Sequence, residues 1–373
     1  MQRKRVYLGI AAVVVAGLAI GAYSYMKFRA NPINRLVLPS GLSVELVAKG
    51  LRDARQLALS KDERTLFVGT RKKGVVYRVR LNEFGTAQSV EVLLDGLTMP
   101  SGIALRDQEG REDLYVSAMH EIWVVENAIG SNQARLLTDA LPDQKHHGWR
   151  YLRFGPDGML YVPVGAPCNA CLSEDPKFAS ILRVDPDTGT FEVFAKGVRN
   201  SLGLAFHPVT GQLWFTENGR DLLGDDIPPD EVNVVTAGGQ HYGFPYIHAG
   251  SVPDPEFGEG ADQDDYVRPV FNIQAHSAAL GLVFNTSSQL GESWKGAVLI
   301  AEHGSWNRTE MVGYQVSALL PDTDGNVSLK PFITGFLQNG KAWGRPNDLL
   351  ITRDGHLLIS DDQFNAVLRI HPD

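Results

Sequence analysis

Short apolar stretches alternate along this chain with turns rich in Gly, Asp, Pro and Lys, and the alternation recurs. TLFVGT (65–70), DLYVSA (113–118), MLYVPVG (159–165), QLWFTENG (212–219), AVLIAEHG (297–304) and HLLISDD (356–362) each read as a short strand. A partner follows each, namely VVYRVRL (75–81), EIWVVEN (121–127), SILRVDP (180–186), EVNVVTA (231–237), YQVSALL (314–320) and AVLRIHP (366–372). Another apolar stretch precedes each: RQLALS, SGIALR, RYLRFG, LGLAFH, LGLVFN and NDLLIT. Six units of at least three strands predict an all-β, six-bladed propeller, with small sheets set radially around a channel. LSVELVAKG (42–50) is a strand without a unit of its own, and it suits closure of the ring against the last blade. The polar, Gly/Pro/Asp-rich stretch 238–270 reads as an inserted loop over one face.

One segment breaks the pattern. Val6–Met26 is uncharged and mostly apolar, between Arg3, Lys4 and Arg5 on one side and Lys27 and Arg29 on the other. Its length suits one transmembrane helix and exceeds the usual apolar region of a cleaved signal, although small residues near Ala19–Ala22 are compatible with cleavage. The expectation is a membrane anchor within residues 1–30, spanning through residues 6–26, and a propeller domain over residues 31–373. The basic flank places that domain on the periplasmic or another extracytoplasmic side.

Composition changes little in this picture. Thirty-eight glycines and 20 prolines fit short strands and turns. A net charge of −8, with no long basic run beyond the N-terminus, gives a nucleic-acid partner no electrostatic support. The two cysteines, Cys168 and Cys171, form CNAC followed by Leu172, which disfavours c-type haem attachment. Two thiolates make an incomplete zinc site. A local disulfide is the leading reading in an exported domain, with free thiols as the other.

In a propeller, loops from different blades converge at the channel mouth, so polar residues just outside the strands are the candidates for chemistry. His146 and His147 precede the third unit, where a neutral imidazole accepts a proton or packs on Trp149. Arg199 and Asn200, in GVRNSLGLAFHP, offer N–H donors to a carboxylate or carbonyl-rich ligand, and a local ion pair is the other reading. Asp221, Asp225, Asp226, Asp230 and Glu231 cluster in a Gly/Pro loop that suits either calcium or solvent. AEHGSWNRTE (301–310) gathers His303, Trp306, Asn307 and Arg308, and KAWGRPNDLL (341–350) adds Trp343 and Arg345. GxSxG, HExxH, P-loop and GxGxxG motifs are absent from the sequence.

HHGWRYLRFGPDGMLYVPVG, GVRNSLGLAFHP, ENG…DEVN…GGQHYGFP, AEHGSWNR and GRPNDLLITRDG occur here in one order. That ordered set resembles the glucose/sorbosone dehydrogenase family, from about Pro39 to the C-terminus. The resemblance implies a six-bladed propeller that oxidises an aldose or related sugar aldehyde with pyrroloquinoline quinone (PQQ) and calcium. It implies a general base at His147, eight residues before Gly155 of the GPD turn. It implies quinone contacts at Arg199, Asn200, Asn218 and Arg345, with His303 and Arg308 in the same region, and calcium on backbone carbonyls of Gly219 and Arg220. Asn347 stands where the glucose enzyme carries a second arginine. The C1 hydride would pass to the quinone as His147 takes the hydroxyl proton, and an extracytoplasmic acceptor would receive the electrons. Two other readings stay open, a calcium-dependent lactonase-type propeller and a non-catalytic binding propeller.

Overall fold

The computed structural model describes residues 31–321 and 327–373. The expected anchor at residues 6–26 lies outside the described residues. Among those described, no helix is long and apolar enough to cross a membrane. Residues 31–37 carry one 3-10 turn, Pro32–Arg35, and Leu38–Asp373 form one compact unit.

That unit is a six-bladed propeller of four-stranded antiparallel sheets. The blades begin at Ala54–Leu59, Gly102–Gln108, Arg153–Phe154, Gly203–Phe206, Ala279–Phe284 and Pro346–Ile351. First strands of neighbouring blades contact each other at most junctions of the ring, and the sixth returns to the first. The second strands, Thr65–Thr70, Arg111–Ala118, Leu160–Val164, Leu213–Glu217, Val298–Glu302 and Leu357–Asp361, are almost wholly buried. Each lies between two neighbouring blades, so both of its faces are covered and the apolar run is continuous.

The apolar clusters show this directly, since they form between blades. Tyr161 and Ile181 of the third blade pack with Leu204, Leu213 and Phe215 of the fourth. Ala205 and Val232 of the fourth pack with Leu282 and Ile300 of the fifth. The fourth strands Ala87–Leu94 and Ala134–Thr138 are largely exposed. The ring closes as the pattern predicts. Leu42–Lys49 is the outermost strand of the last blade, antiparallel to Ala366–Pro372, with Val44 opposite Ile370 and Leu46 opposite Leu368. Residues 238–270 are inserted between the third and fourth strands of the fourth blade and carry a small hairpin, Ile247–His248 with Val252–Pro253.

Candidate active site

The blade geometry brings distant residues to one end of the ring. In an antiparallel pair, the start of the first strand lies beside the end of the second. The register shows this for Ala54 with Thr70, Gly203 with Thr216, Ala279 with Glu302 and Pro346 with Asp361. Residues just outside these ends therefore meet. They line a cleft of about 510 Å³, within the size range of small-molecule sites. Of the residues singled out from sequence, His147, Arg199, Asn200, Asn218, Gly219, His303 and Arg345 line it, with His146 beside them.

His147 is the best-defined group. It is 7% exposed and adopts φ 48°, a left-handed conformation uncommon outside glycine. Two contacts hold it there. Arg150 donates through Nη1 to the His147 carbonyl at 2.7 Å. Gly165 lies so close that a Cβ on it would meet the His147 Cβ at 2.4 Å. The imidazole Nδ1 is 2.9 Å from the Ala166 carbonyl. A carbonyl only accepts, so Nδ1 carries the hydrogen and Nε2 keeps its lone pair. Burial, helped by the Arg199 charge, lowers the pKa well below that of an ordinary histidine. The ring is thus neutral and able to accept a proton. His146 lies against it at 4.1 Å between centroids, and Trp149 meets it edge-on at 6.2 Å.

Arg199 lies beneath the cleft, 2% exposed. Nε donates to the Asn169 carbonyl at 2.8 Å. Nη1 donates to the carbonyls of Asn218 (3.1 Å) and Gly219 (2.7 Å). Nη2 donates to Asn169 Oδ1 (2.8 Å) and Asp221 Oδ2 (3.0 Å). All five N–H donors are engaged within the protein, so Arg199 acts here as a fixed charge rather than as a free fork. Asn200, by contrast, reaches the cleft with a side-chain amide that has no hydrogen-bond partner among the described residues. Asn218 donates to the Ala279 carbonyl at 2.7 Å.

Arg345 donates to the carbonyls of His303 (2.9 Å) and Gly304 (2.6 Å), stacks on Tyr314, and keeps N–H groups in reserve. His303 pairs with Asp362 at 2.9 Å, and Asp362 also holds Arg55 at 2.6 Å. Burial pushes His303 down to about 4 despite that carboxylate. Arg308 and Arg220 do not line the cleft. The acidic loop captures Arg308 through the Asp225 carbonyl and the Asp226 carboxylate. Arg220 turns to Asp254, which also holds His248. Arg308, which the resemblance puts in the cofactor region, is thus held by the acidic loop outside the cleft lining.

Sequence reasoning missed Arg55, Arg71 and Lys145. Arg71 lies over the Trp149 ring at 4.5 Å, half-buried, with no hydrogen-bonded partner among the described residues. Burial and the Arg55 charge lower its pKa. Its position follows the second strand of the first blade directly, as His303 follows that of the fifth. That shared register was a usable signal. Asn169 was hidden inside the CNAC loop, where Cys168 and Cys171 form a disulfide.

A propeller with a cationic, aromatic cleft and a proton acceptor at its mouth defines a class of small-molecule enzyme. The glucose/sorbosone dehydrogenase family model matches residues 124–317. An uncharacterized protein of Borreliella burgdorferi is 31% identical over 355 residues, covering 90% of each chain. The chain belongs to the glucose/sorbosone dehydrogenase family, an oxidoreductase family. Solved structures share its fold. The holo form of the pyranose dehydrogenase PQQ domain from Coprinopsis cinerea superposes with TM-score 0.73 at 20% identity, over 90% of this chain and 97% of that one. The PQQ-bound aldose sugar dehydrogenase of Streptomyces coelicolor gives 0.63 at 20% identity, over 90% and 100%. The apo aldose sugar dehydrogenase of Escherichia coli gives 0.65 at 17% identity, over 89% and 100%.

The two expected cofactors fare differently against these residues. A flat polycarboxylate quinone suits the cleft, because Arg71 and Lys145 lack anionic partners there and Trp149 and Trp306 line it. The oxygens that calcium would use are largely taken. The Gly219 carbonyl already accepts from Arg199. Asp221 pairs with the same guanidinium, and both Asp230 oxygens accept backbone N–H groups. No group of three or more His, Cys, Asp or Glu among the described residues could hold a metal.

Proposed function

We propose that this protein is a PQQ-dependent dehydrogenase that oxidises an aldose or a related sugar aldehyde, on the extracytoplasmic side of a membrane to which residues 6–26 attach it. The reading rests first on His147, whose Nε2 lone pair is fixed by the Nδ1 contact to Ala166 at the edge of a cationic cleft. Arg71, Lys145 and the remaining N–H groups of Arg345 would hold the carboxylates of the cofactor. When bound, the quinone supplies the hydride acceptor that no side chain provides. The sugar's C1 hydroxyl sits at His147, and Nε2 takes its proton as the C–H bond breaks. The Asn200 amide donates toward oxygen atoms on which negative charge gathers, and the fixed Arg199 charge below favours that charge. His146 and Trp149 shape the substrate side. A small acceptor or protein outside the cytoplasm would re-oxidise the cofactor.

The names of two structural neighbours support the quinone, one a holo form and the other PQQ-bound. The test is a titration of the full-length protein with PQQ, followed by quinone absorbance, and then a panel of aldoses. Binding followed by substrate-dependent reduction is the expected result. Saturable quinone binding that no sugar discharges would remove the dehydrogenase reading and leave a binding propeller.

A further inference from the structure

One of the two carbonyls expected to hold calcium, that of Gly219, is taken by the chain itself. Five oxygen contacts converge on the Arg199 guanidinium: the carbonyls of Asn169, Asn218 and Gly219, Oδ1 of Asn169, and Oδ2 of Asp221, all between 2.7 and 3.1 Å. Calcium gathers its oxygens at about 2.3–2.6 Å around one point. These are instead spread around a planar fork and matched bond for bond by the five donors of a guanidinium, whose charge is permanent. The cage is also braced from outside. Asn169 Oδ1 accepts from the Asp221 N–H at 2.9 Å, Asn169 Nδ2 donates to the Asp221 carbonyl at 3.0 Å, and Asn307 donates to Asp221 Oδ1 at 3.1 Å. The Cys168–Cys171 disulfide closes the loop that presents Asn169.

We propose that the Arg199 guanidinium is the resident cation of this site, holding the Gly219 carbonyl and the Asp221 carboxylate on which a calcium ion would otherwise draw, so that the protein works without calcium. A divalent ion would have to displace a buried guanidinium from five hydrogen bonds and leave that charge without partners. Its own gain would be one carboxylate already neutralised. The site therefore keeps a fixed positive charge whatever the calcium concentration. The proposal shares its cleft with the quinone reading, but its deciding measurements need no quinone.

The full-length protein is dialysed against a calcium chelator, and its metal content and thermal midpoint are measured with and without millimolar calcium. Substoichiometric calcium and an unmoved midpoint are expected. One tightly held calcium per chain, or a calcium-dependent rise of about 4 °C or more, overturns the proposal. Arg199→Ser frees the Gly219 carbonyl and the Asp221 carboxylate. That variant is expected to gain a calcium-dependent rise in midpoint that the parent lacks. If it folds by circular dichroism and still ignores calcium, the guanidinium is not what stands in place of the ion and the proposal fails. If it does not fold, the parent measurements decide alone. With PQQ added, quinone affinity is expected to agree within about twofold with and without calcium, and an increase of about tenfold with calcium overturns the proposal. Absence of quinone binding under both conditions would sink the dehydrogenase reading and leave the calcium result standing.

Discussion

At the scale of single residues, the site turns on which nitrogen of His147 is free. The Ala166 carbonyl settles the tautomer, and Gly165 makes the room. His147→Ala is expected to keep quinone affinity and lose turnover by about a hundredfold or more, read as kcat at saturating sugar. Because burial and Arg199 lower the His147 pKa, the base stays unprotonated below the ordinary histidine range. The acid limb of kcat/KM is thus expected below about pH 6.5. In Arg199→Ser the loss of positive charge raises that pKa, and the limb moves to higher pH. Arg71→Gln removes a guanidinium with no hydrogen-bonded partner among the described residues, so stability is expected to change little while quinone affinity falls about tenfold, measured by absorbance titration. His147, Asn200 and Arg345 were legible because polar residues stood out beside strand ends. An ion pair for Arg199 was among the sequence readings, and Asp221 provides it; its other partners were not legible, since they come from a loop some thirty residues earlier and from backbone carbonyls that leave no mark in a sequence.

At the scale of elements, strand ends do the positioning. Gly165 follows the second strand of the third blade, and Gly165→Ala drives a Cβ into His147. Turnover is expected to drop sharply while the thermal midpoint moves little, so the two readouts separate a displaced base from a damaged fold. The fourth blade carries a cross-strand acid pair, Glu217 opposite Glu231. Burial raises both, Glu231 to about 7; the Glu231 charge adds to the rise at Glu217, and the Asp230 charge to that at Glu231. The folded protein thus binds protons that the unfolded chain has already released. The stabilisation from these groups is present at low pH and is lost as pH rises, for Glu231 through about 7. Glu217→Gln removes one of them, and the thermal midpoint is expected to rise at about pH 8 and change little at about pH 5. Second strands were readable from their apolar runs, as was the closing strand. The exposed fourth strands were not, because Ala87–Leu94 and Ala134–Thr138 have few buried positions to create a pattern. Pairing alone defines them.

At the scale of the whole molecule, six similar sheets share their apolar faces, so no blade has a core of its own. Ile300, fully buried, packs between the fourth and fifth blades. Ile300→Ala is expected to cost about 2–5 kcal/mol by denaturant unfolding, in a single transition if the blades unfold together. The blade count could be read from the repeats, whereas the insertion at 238–270 hid the fourth strand of its blade until the register was known. The last sheet takes three strands from the end of the chain and one, Leu42–Lys49, from near its beginning. A nascent chain is consequently an arc with two raw ends, and no intermediate length yields a smaller ring. The earliest strand waits unpaired until the final residues, Ala366–Pro372, have emerged. Synthesis that stops one blade short therefore produces a chain with an exposed, adhesive edge at each end, which invites a second copy rather than closure.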